Sequence, residues 1–225
     1  MNLQIAIDGP SGAGKSTIAK ALAKKLGILY VDTGALYRAI GLYVRSRETD
    51  PHDAVAVAAL LPEISLEIRY ENGSQQVYLN GEATGDRIRT PEMSMYASAV
   101  SAIPAVRAFL LDTQRGIAAK NGVVMDGRDI GTVILPNANV KIYLTASDEC
   151  RAKRRYLELC EKGMKTTYEE VLADMRRRDR NDSTRTVAPA VAAPDAITVD
   201  SSDLSIAECV ARIEAIIAEK VGISE

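Results

Sequence analysis

The residues Gly9-Pro10-Ser11-Gly12-Ala13-Gly14-Lys15-Ser16 carry the most specific chemistry in the chain. They fit the spacing GxxxxGK[ST] of a P-loop, and Thr17 follows in the same turn. The glycines let backbone N–H groups turn toward phosphate oxygens, and the N-terminus of a following helix adds a favourable dipole. Lys15 would reach the β and γ phosphates, while the Ser16 hydroxyl would ligate Mg²⁺. A P-loop by itself leaves kinases, GTPases and motor ATPases open, so the acceptor must be read from residues elsewhere.

Asp126 ends a hydrophobic run, where a carboxylate either holds Mg²⁺, directly or through water, or caps the turn at Gly127. His52 is the one histidine and lies in Asp50-Pro51-His52-Asp53, a helix-starting turn with no oriented partner for base catalysis. Cys150, Cys160 and Cys209 are odd in number and lack CxxC spacing, which points to reduced thiols rather than a disulfide framework or a zinc site.

The elements that must position these groups alternate in type. Leu3–Asp8 is a short β-compatible run leading into the glycine-rich turn, and Lys15–Leu26 follows with apolar residues at helical spacing, Ile18, Leu22 and Leu26. A second strand and helix follow at Leu29–Asp32 and Gly34–Arg45. Val123–Asp126, Val140–Leu144 and Ile197–Asp200 read as three more strands. Strands alternating with helices predict a three-layer α/β/α fold around a five-stranded parallel sheet.

Between Ile64 and Thr90 the period changes to two, with turns at Asn72-Gly73 and Asn80-Gly81, which predicts a small antiparallel insert. Pro91–Ser101 and Pro104–Lys120 read as helices with proline in the first turn. Asp148–Lys162 and Tyr168–Arg180 read as two more, the second opened by Thr167 and Glu170 at capping-box spacing. Ser205 and Glu208 repeat that device before a closing helix to Lys220. The apolar runs Val55–Leu61 and Ile206–Ile217 are expected to be core faces.

With 225 residues and 47% hydrophobic content the chain can bury a substantial core. Its 28 basic and 30 acidic side chains give a net charge of −2, which argues against the broad positive field of a nucleic-acid-coating protein. No secretory pattern opens the sequence and no apolar run approaches the ~18 residues that span a bilayer, so a cytoplasmic protein without membrane residence is expected.

No NKxD guanine reader is present, and the remaining motifs are rich in arginine. Asp32-Thr33-Gly34-Ala35-Leu36-Tyr37-Arg38, Asp126-Gly127-Arg128-Asp129-Ile130-Gly131-Thr132 and Asp182-Ser183-Thr184-Arg185 resemble the signatures of bacterial cytidylate kinases, in order and over nearly the whole chain. Thr33 stands where serine is also common in that family and keeps the hydroxyl.

The resemblance implies an ATP- and Mg²⁺-dependent kinase of CMP or dCMP, most simply a monomer. It implies a core of residues 1–37, 98–147 and 185–225, a monophosphate-binding insert at 38–97 and a lid at 148–184. By motif, Arg38, Arg128 and Arg185 would hold the acceptor phosphate, Asp182 the sugar hydroxyls, and Ser98, Arg107 and Asp129 the cytosine. Thr33 and Tyr37 fall within the first of these motifs, Thr33 as a further substrate contact and Tyr37 either beside the nucleotide or as support for the Arg38 helix. Of the lid arginines, Arg154 would reach ATP by its family position. Any single arginine among Arg151, Arg154, Arg155, Arg176, Arg177, Arg178 and Arg180 is otherwise expected on a solvated charged face.

The chemistry fits these assignments. Donor and acceptor both bring phosphate charge, and their approach is repulsive unless cations lie between them. Guanidinium groups remain charged and grip phosphate oxygens in bidentate fashion. A phosphate monoester with a second pKa near ~6 is largely dianionic at neutral pH and needs no general base. A P-loop kinase of another small acceptor, such as UMP or a non-nucleotide metabolite, and an ATP-driven binding switch are the competing readings.

Overall fold

The computed structural model describes residues 2–71 and 73–222. In chain order the elements are β1 (Gln4–Asp8), α1 (Lys15–Leu26), β2 (Leu29–Asp32), α2 (Thr33–Ser46), α3 (Ala54–Leu60), β3 (Leu66–Glu71), β4 (Ser74–Leu79), β5 (Glu82–Ala83), α4 (Pro91–Val100), α5 (Pro104–Lys120), β6 (Val123–Gly127), β7 (Val140–Thr145), α6 (Asp148–Glu161), α7 (Tyr168–Thr184), β8 (Ile197–Asp200) and α8 (Ile206–Val221). Contacts divide them into two compact units, Met1–Leu29 with Asn121–Glu225, and Tyr30–Lys120.

The larger sheet has the order β2-β6-β1-β7-β8. Its strands run parallel where β1 meets β6 and β7 and where β7 meets β8, with Ile7 opposite both Asp126 and Ile142. Continuous apolar runs such as Ile5-Ala6-Ile7 and Val123-Val124-Met125 are fully buried, as expected of strands covered on both faces. α1 packs against β6 and α8, placing Ile18, Leu22 and Ile213 in the core.

Helices α6 and α7 belong to the same unit and share a small apolar cluster of Ala152, Leu159, Val171 and Met175. Both predicted capping boxes are formed, Thr167 with Glu170 on α7 and Ser205 with Glu208 on α8. α7 continues past its predicted end to Thr184, so Asp182 and Ser183 are helical and Arg185 follows as the cap residue.

In the other unit β3, β4 and β5 form a three-stranded antiparallel sheet with Leu66 opposite Leu79. The β4–β5 turn uses Asn80 and Gly81, both at positive φ (50° and 85°). In the β3–β4 turn Gly73 has φ 74°, and Asn72 lies outside the described residues. The core of this unit gathers Leu36, Ile40 and Val44 of α2 with Val57, Val77, Val100, Val106 and Leu110. A Cβ at Gly41 would stand 2.8 Å from the Cβ of Tyr96, so only glycine lets α2 and α4 approach this closely. Val55 departs from expectation. It is 82% exposed, because in the short helix α3 the inward positions fall to Val57 and, just beyond, Leu61.

No single helix among the described residues is long and apolar enough to cross a membrane.

Candidate active site

Gly9 has φ +148°, and a Cβ there would lie 1.9 Å from the Leu144 carbonyl oxygen of β7. The cradle therefore leaves the sheet along a path open only to glycine, and α1 starts directly from it at Lys15. Lys15 is only 7% exposed and its Nζ donates to the Pro10 carbonyl at 2.7 Å. Burial, then the Arg128 guanidinium and to a lesser extent Arg178, hold its proton affinity well below the ordinary lysine range, against the opposing pull of Asp126 and Asp8. This ammonium is crowded by cations and gains from any anion placed beside it.

Ser16 Oγ donates to Asp126 Oδ2 at 3.0 Å, and Asp126 is buried at the end of β6. Among the described residues no cluster of three or more His, Cys, Asp or Glu side chains could hold a metal. A hydroxyl and one carboxylate fit Mg²⁺ well, since this ion keeps several waters and takes further oxygens from nucleotide phosphates.

The loop between β6 and the turn Ile130–Ile134 carries the second group of charges. Arg128 Nε donates to Asp182 Oδ2 at 3.2 Å, and Arg178 Nε lies 4.0 Å from the same oxygen. Arg185 Nη2 stands 4.0 Å from Asp129 Oδ1, while its Nε donates to the Ala188 carbonyl at 2.7 Å. Asp129 and Asp182 are both buried. A cleft of about 520 Å³ opens beside them, lined by Pro10, Arg128, Tyr143, Asp179, Arg180 and Asp182 among others.

Helices α6 and α7 also reach the cradle. Asp179 Oδ1 accepts the Ser11 N–H at 3.1 Å, and Arg151 Nη1 donates to the Ser11 carbonyl at 2.7 Å, so the two peptide groups flanking Ser11 are both held. Arg151 further donates to Ala146, Asp148 and Asp179. At 4% exposure it departs from the expected solvated face, whereas Arg176 and Arg177 are exposed as read. Arg154 is held at the end of β8, donating to the Ser201 carbonyl at 2.6 Å. The Ser201 hydroxyl in turn reaches the Ala13 carbonyl at 3.4 Å.

In the second unit Asp32 caps α2, its Oδ1 accepting the Ala35 N–H at 2.9 Å while Oδ2 pairs with Arg38 Nη2 at 2.9 Å. Arg89 Nη1 approaches the same oxygen at 3.6 Å. Gln75 clasps the Asp32 backbone, accepting its N–H at 2.8 Å and donating to its carbonyl at 3.2 Å. Arg38 Nε is buried without a hydrogen-bond partner. Thr33 and Tyr37 are buried on α2, and the Arg107 guanidinium lies over the Tyr37 ring at 5.7 Å. Arg107 also donates to the Ser101 carbonyl at 3.1 Å, and Ser101 Oγ donates to the Ser98 carbonyl at 2.9 Å.

The first unit thus gathers Lys15, Ser16, Asp126, Arg128, Asp129, Asp182 and Arg185, and the second Thr33, Tyr37, Arg38, Ser98 and Arg107. Reading the sequence missed Asp8, Asp179 and Arg89. For Asp8 the available signal was an acidic residue closing an otherwise apolar strand. Asp8 Oδ1 and Oδ2 accept the N–H groups of Ile130 and Gly131 at 2.8 and 2.7 Å. Burial, opposed by those two hydrogen bonds, raises its pKa to about 6.

Comparison with known proteins places these features in a family. The cytidylate kinase family model matches residues 5–219. The cytidylate kinase of Caldicellulosiruptor bescii is 50% identical over 211 residues, covering 94% of this chain and 93% of its own. That of Fervidobacterium nodosum is 50% identical over 220 residues, covering 98% of each. A solved uncharacterized protein from Eubacterium ventriosum shares the fold with a TM-score of 0.52 at 15% identity, covering 97% of this chain and 99% of its own. With its phosphate cradle, its paired arginines and aspartates, and this extent of identity, the chain belongs to the cytidylate kinase family, the enzymes that phosphorylate nucleoside monophosphates.

Proposed function

We propose that the chain transfers the γ-phosphate of ATP to CMP or dCMP, giving ADP and CDP or dCDP. The observation that carries this reading is the buried Lys15, whose proton affinity is lowered by burial and by the neighbouring Arg128 and Arg178. So much positive charge beside a glycine-lined cradle is costly until phosphate oxygens arrive. Arg38 Nε, buried and without an acceptor, supports it from the other unit.

In this reading the backbone from Gly9 to Thr17 and Lys15 hold the donor phosphates, and Arg154 serves the donor from α6. Arg38, Arg128 and Arg185 grip the acceptor phosphate, Asp182 takes the sugar hydroxyls, and Ser98, Arg107 and Asp129 read the base, with Thr33 and Tyr37 as further contacts. Cytosine offers a donor amine beside two acceptors, which suits a carboxylate with an arginine; uracil offers that carboxylate a carbonyl. Ser16 and Asp126 would hold Mg²⁺, which neutralises charge on the donor phosphates.

An oxygen of the acceptor dianion attacks the γ-phosphorus in line as the bond to the ADP oxygen breaks, and the electron pair leaves on ADP. The arginines supply charge and alignment, and no side chain has to accept a proton. The helices of the segment 148–184 act as the lid and the segment 38–97 as the acceptor-binding insert. We place the reaction in pyrimidine nucleotide metabolism in the cytoplasm, with the chain working as a monomer.

Turnover with saturating MgATP across CMP, dCMP, UMP, AMP and shikimate tests the reading. CMP and dCMP should exceed the others by about 100-fold or more, the scale set by unpaired polar groups in a base site. Equal rates with UMP and CMP would remove the cytosine assignment, and turnover on none of the monophosphates would remove the kinase reading.

A further inference from the structure

Asp8 belongs to none of the groups assigned above, yet it stands between them. It closes β1 one residue before Gly9 and is 3% exposed. Its two oxygens accept consecutive backbone N–H groups, from Ile130 and Gly131. These amides open the wide helical turn Ile130–Ile134, in which Val133 and Ile134 both donate to the Asp129 carbonyl (2.9 and 3.2 Å) and Leu135 donates to Ile130 (2.7 Å). First-turn amides have no carbonyl to meet within their own turn, and Asp8 takes both. Arg128 and Asp129 immediately precede them.

We propose that Asp8 is a positioning residue, whose carboxylate ties the Arg128-Asp129 segment to the root of the phosphate cradle so that the acceptor ligands and Lys15 share one frame. The proposal rests on the reading of Arg128 and Asp129 as acceptor ligands. Charge strengthens this geometry, since an ionised carboxylate offers a full acceptor on each oxygen to both N–H groups, whereas a protonated carboxyl offers only a weak one at its hydroxyl oxygen. A purely stabilising carboxylate would have its proton affinity lowered on folding. Here burial outweighs the two hydrogen bonds and raises it, so the ionised form is kept at a cost to stability.

The test is Asp8→Asn, which places an NH₂ group against one of the two N–H donors while keeping the shape. Steady-state kinetics well below the measured Tm of the variant should show the KM for CMP raised about tenfold or more and kcat lowered, with the KM for MgATP within about twofold of wild type. An unchanged KM for CMP, or equal rises in both KM values, overturns the proposal. Arg128→Ala and Asp129→Ala run alongside: if they raise the KM for CMP and Asp8→Asn does not, this inference alone falls. If none of the three does, the acceptor reading falls with it. Should Asp8→Asn fail to fold, the Gly131 amide resonance of the wild-type protein serves instead. It should shift when CMP is added, and an amide that CMP does not perturb is the overturning result.

Discussion

Arg128 and Asp182 are 54 residues apart in the chain, yet Arg128 Nε donates to Asp182 Oδ2 at 3.2 Å. The second guanidinium near that oxygen, Arg178, comes from one turn earlier on α7. One buried carboxylate thus lies beside two cations that would otherwise repel each other, and it sits on the helix that also supplies Asp179 to the cradle.

Substituting Asp182→Ala should therefore leave Arg128 and Arg178 mutually repelling and poorly directed. The KM for CMP is expected to rise by about 10- to 100-fold, the range for losing a charge-assisted hydrogen bond, with a fall in kcat. Arg128→Ala and Arg185→Ala should each lower kcat/KM for CMP by about 100-fold or more. Initial-rate measurements over a CMP series at fixed MgATP read these effects.

Arg151→Ala should act on stability first. The guanidinium is buried among the Ser11 and Ala146 carbonyls and two aspartates, and its loss takes a charge-assisted donor from each, leaving Asp148 with Arg176 and Asp179 with the Ser11 N–H. The expected cost is about 3 kcal/mol, the low end for breaking a buried pair because the Asp148 side chain is 41% exposed. A Tm lowered by roughly 6–12 °C in calorimetry checks it.

Asp32 separates two roles that one residue fills. Asp32→Asn keeps an oxygen for the Ala35 N–H and should stay within about 1 kcal/mol of wild-type stability, while weakening the hold on Arg38. Asp32→Ala loses the cap as well and should cost about 2 kcal/mol. Chemical denaturation of the two variants, with CMP kinetics on the first, distinguishes the contributions.

The pH dependence of Asp8 has a definite sign. Its pKa rises from 3.8 to about 6 on folding, so between those values the folded state binds more protons than the unfolded. Its contribution to stability is therefore fully present below pH ~4 and is lost as pH rises through about 6, amounting to roughly 3 kcal/mol. Lys15 and Asp129 are the charged neighbours that act on it. Relative to Asp8→Asn, which cannot titrate there, the wild-type protein should gain stability as pH falls from 7 to 4.5. Denaturation midpoints of the pair across that range measure the difference.

The cradle, the capping boxes and the hairpin residues were legible because each is a local pattern whose cause lies within a few residues. Lys15 and Ser16 are fixed by their spacing from Gly9, and Thr167 by its spacing from Glu170. Asp8, Asp179 and Arg151 were not, since their partners lie 122, 168 and 140 residues away in sequence. Asp8 looks like the polar end of a strand, and Arg151 and Asp179 look like members of charged helix faces. Only tertiary packing reveals that their polar atoms point inward. Val55 erred in the opposite direction, because an apolar run read as core presents one of its valines to solvent on a helix of seven residues. The helix α7 ran on beyond Arg180 because Asp182 and Ser183 favour turns when alone, whereas here Asp182 is held by Arg128.

The glycine at position 41 couples the two helices that carry Arg38 and Ser98. Arg38 lies three residues before it on α2, and Ser98 lies two residues beyond Tyr96 on α4. With the two backbones pressed together at that point, neither helix can slide past the other without a steric collision. A displacement of Arg38 would therefore carry Ser98 with it, and under the roles proposed above the grip on the phosphate and the reading of the base would advance and retreat as one piece.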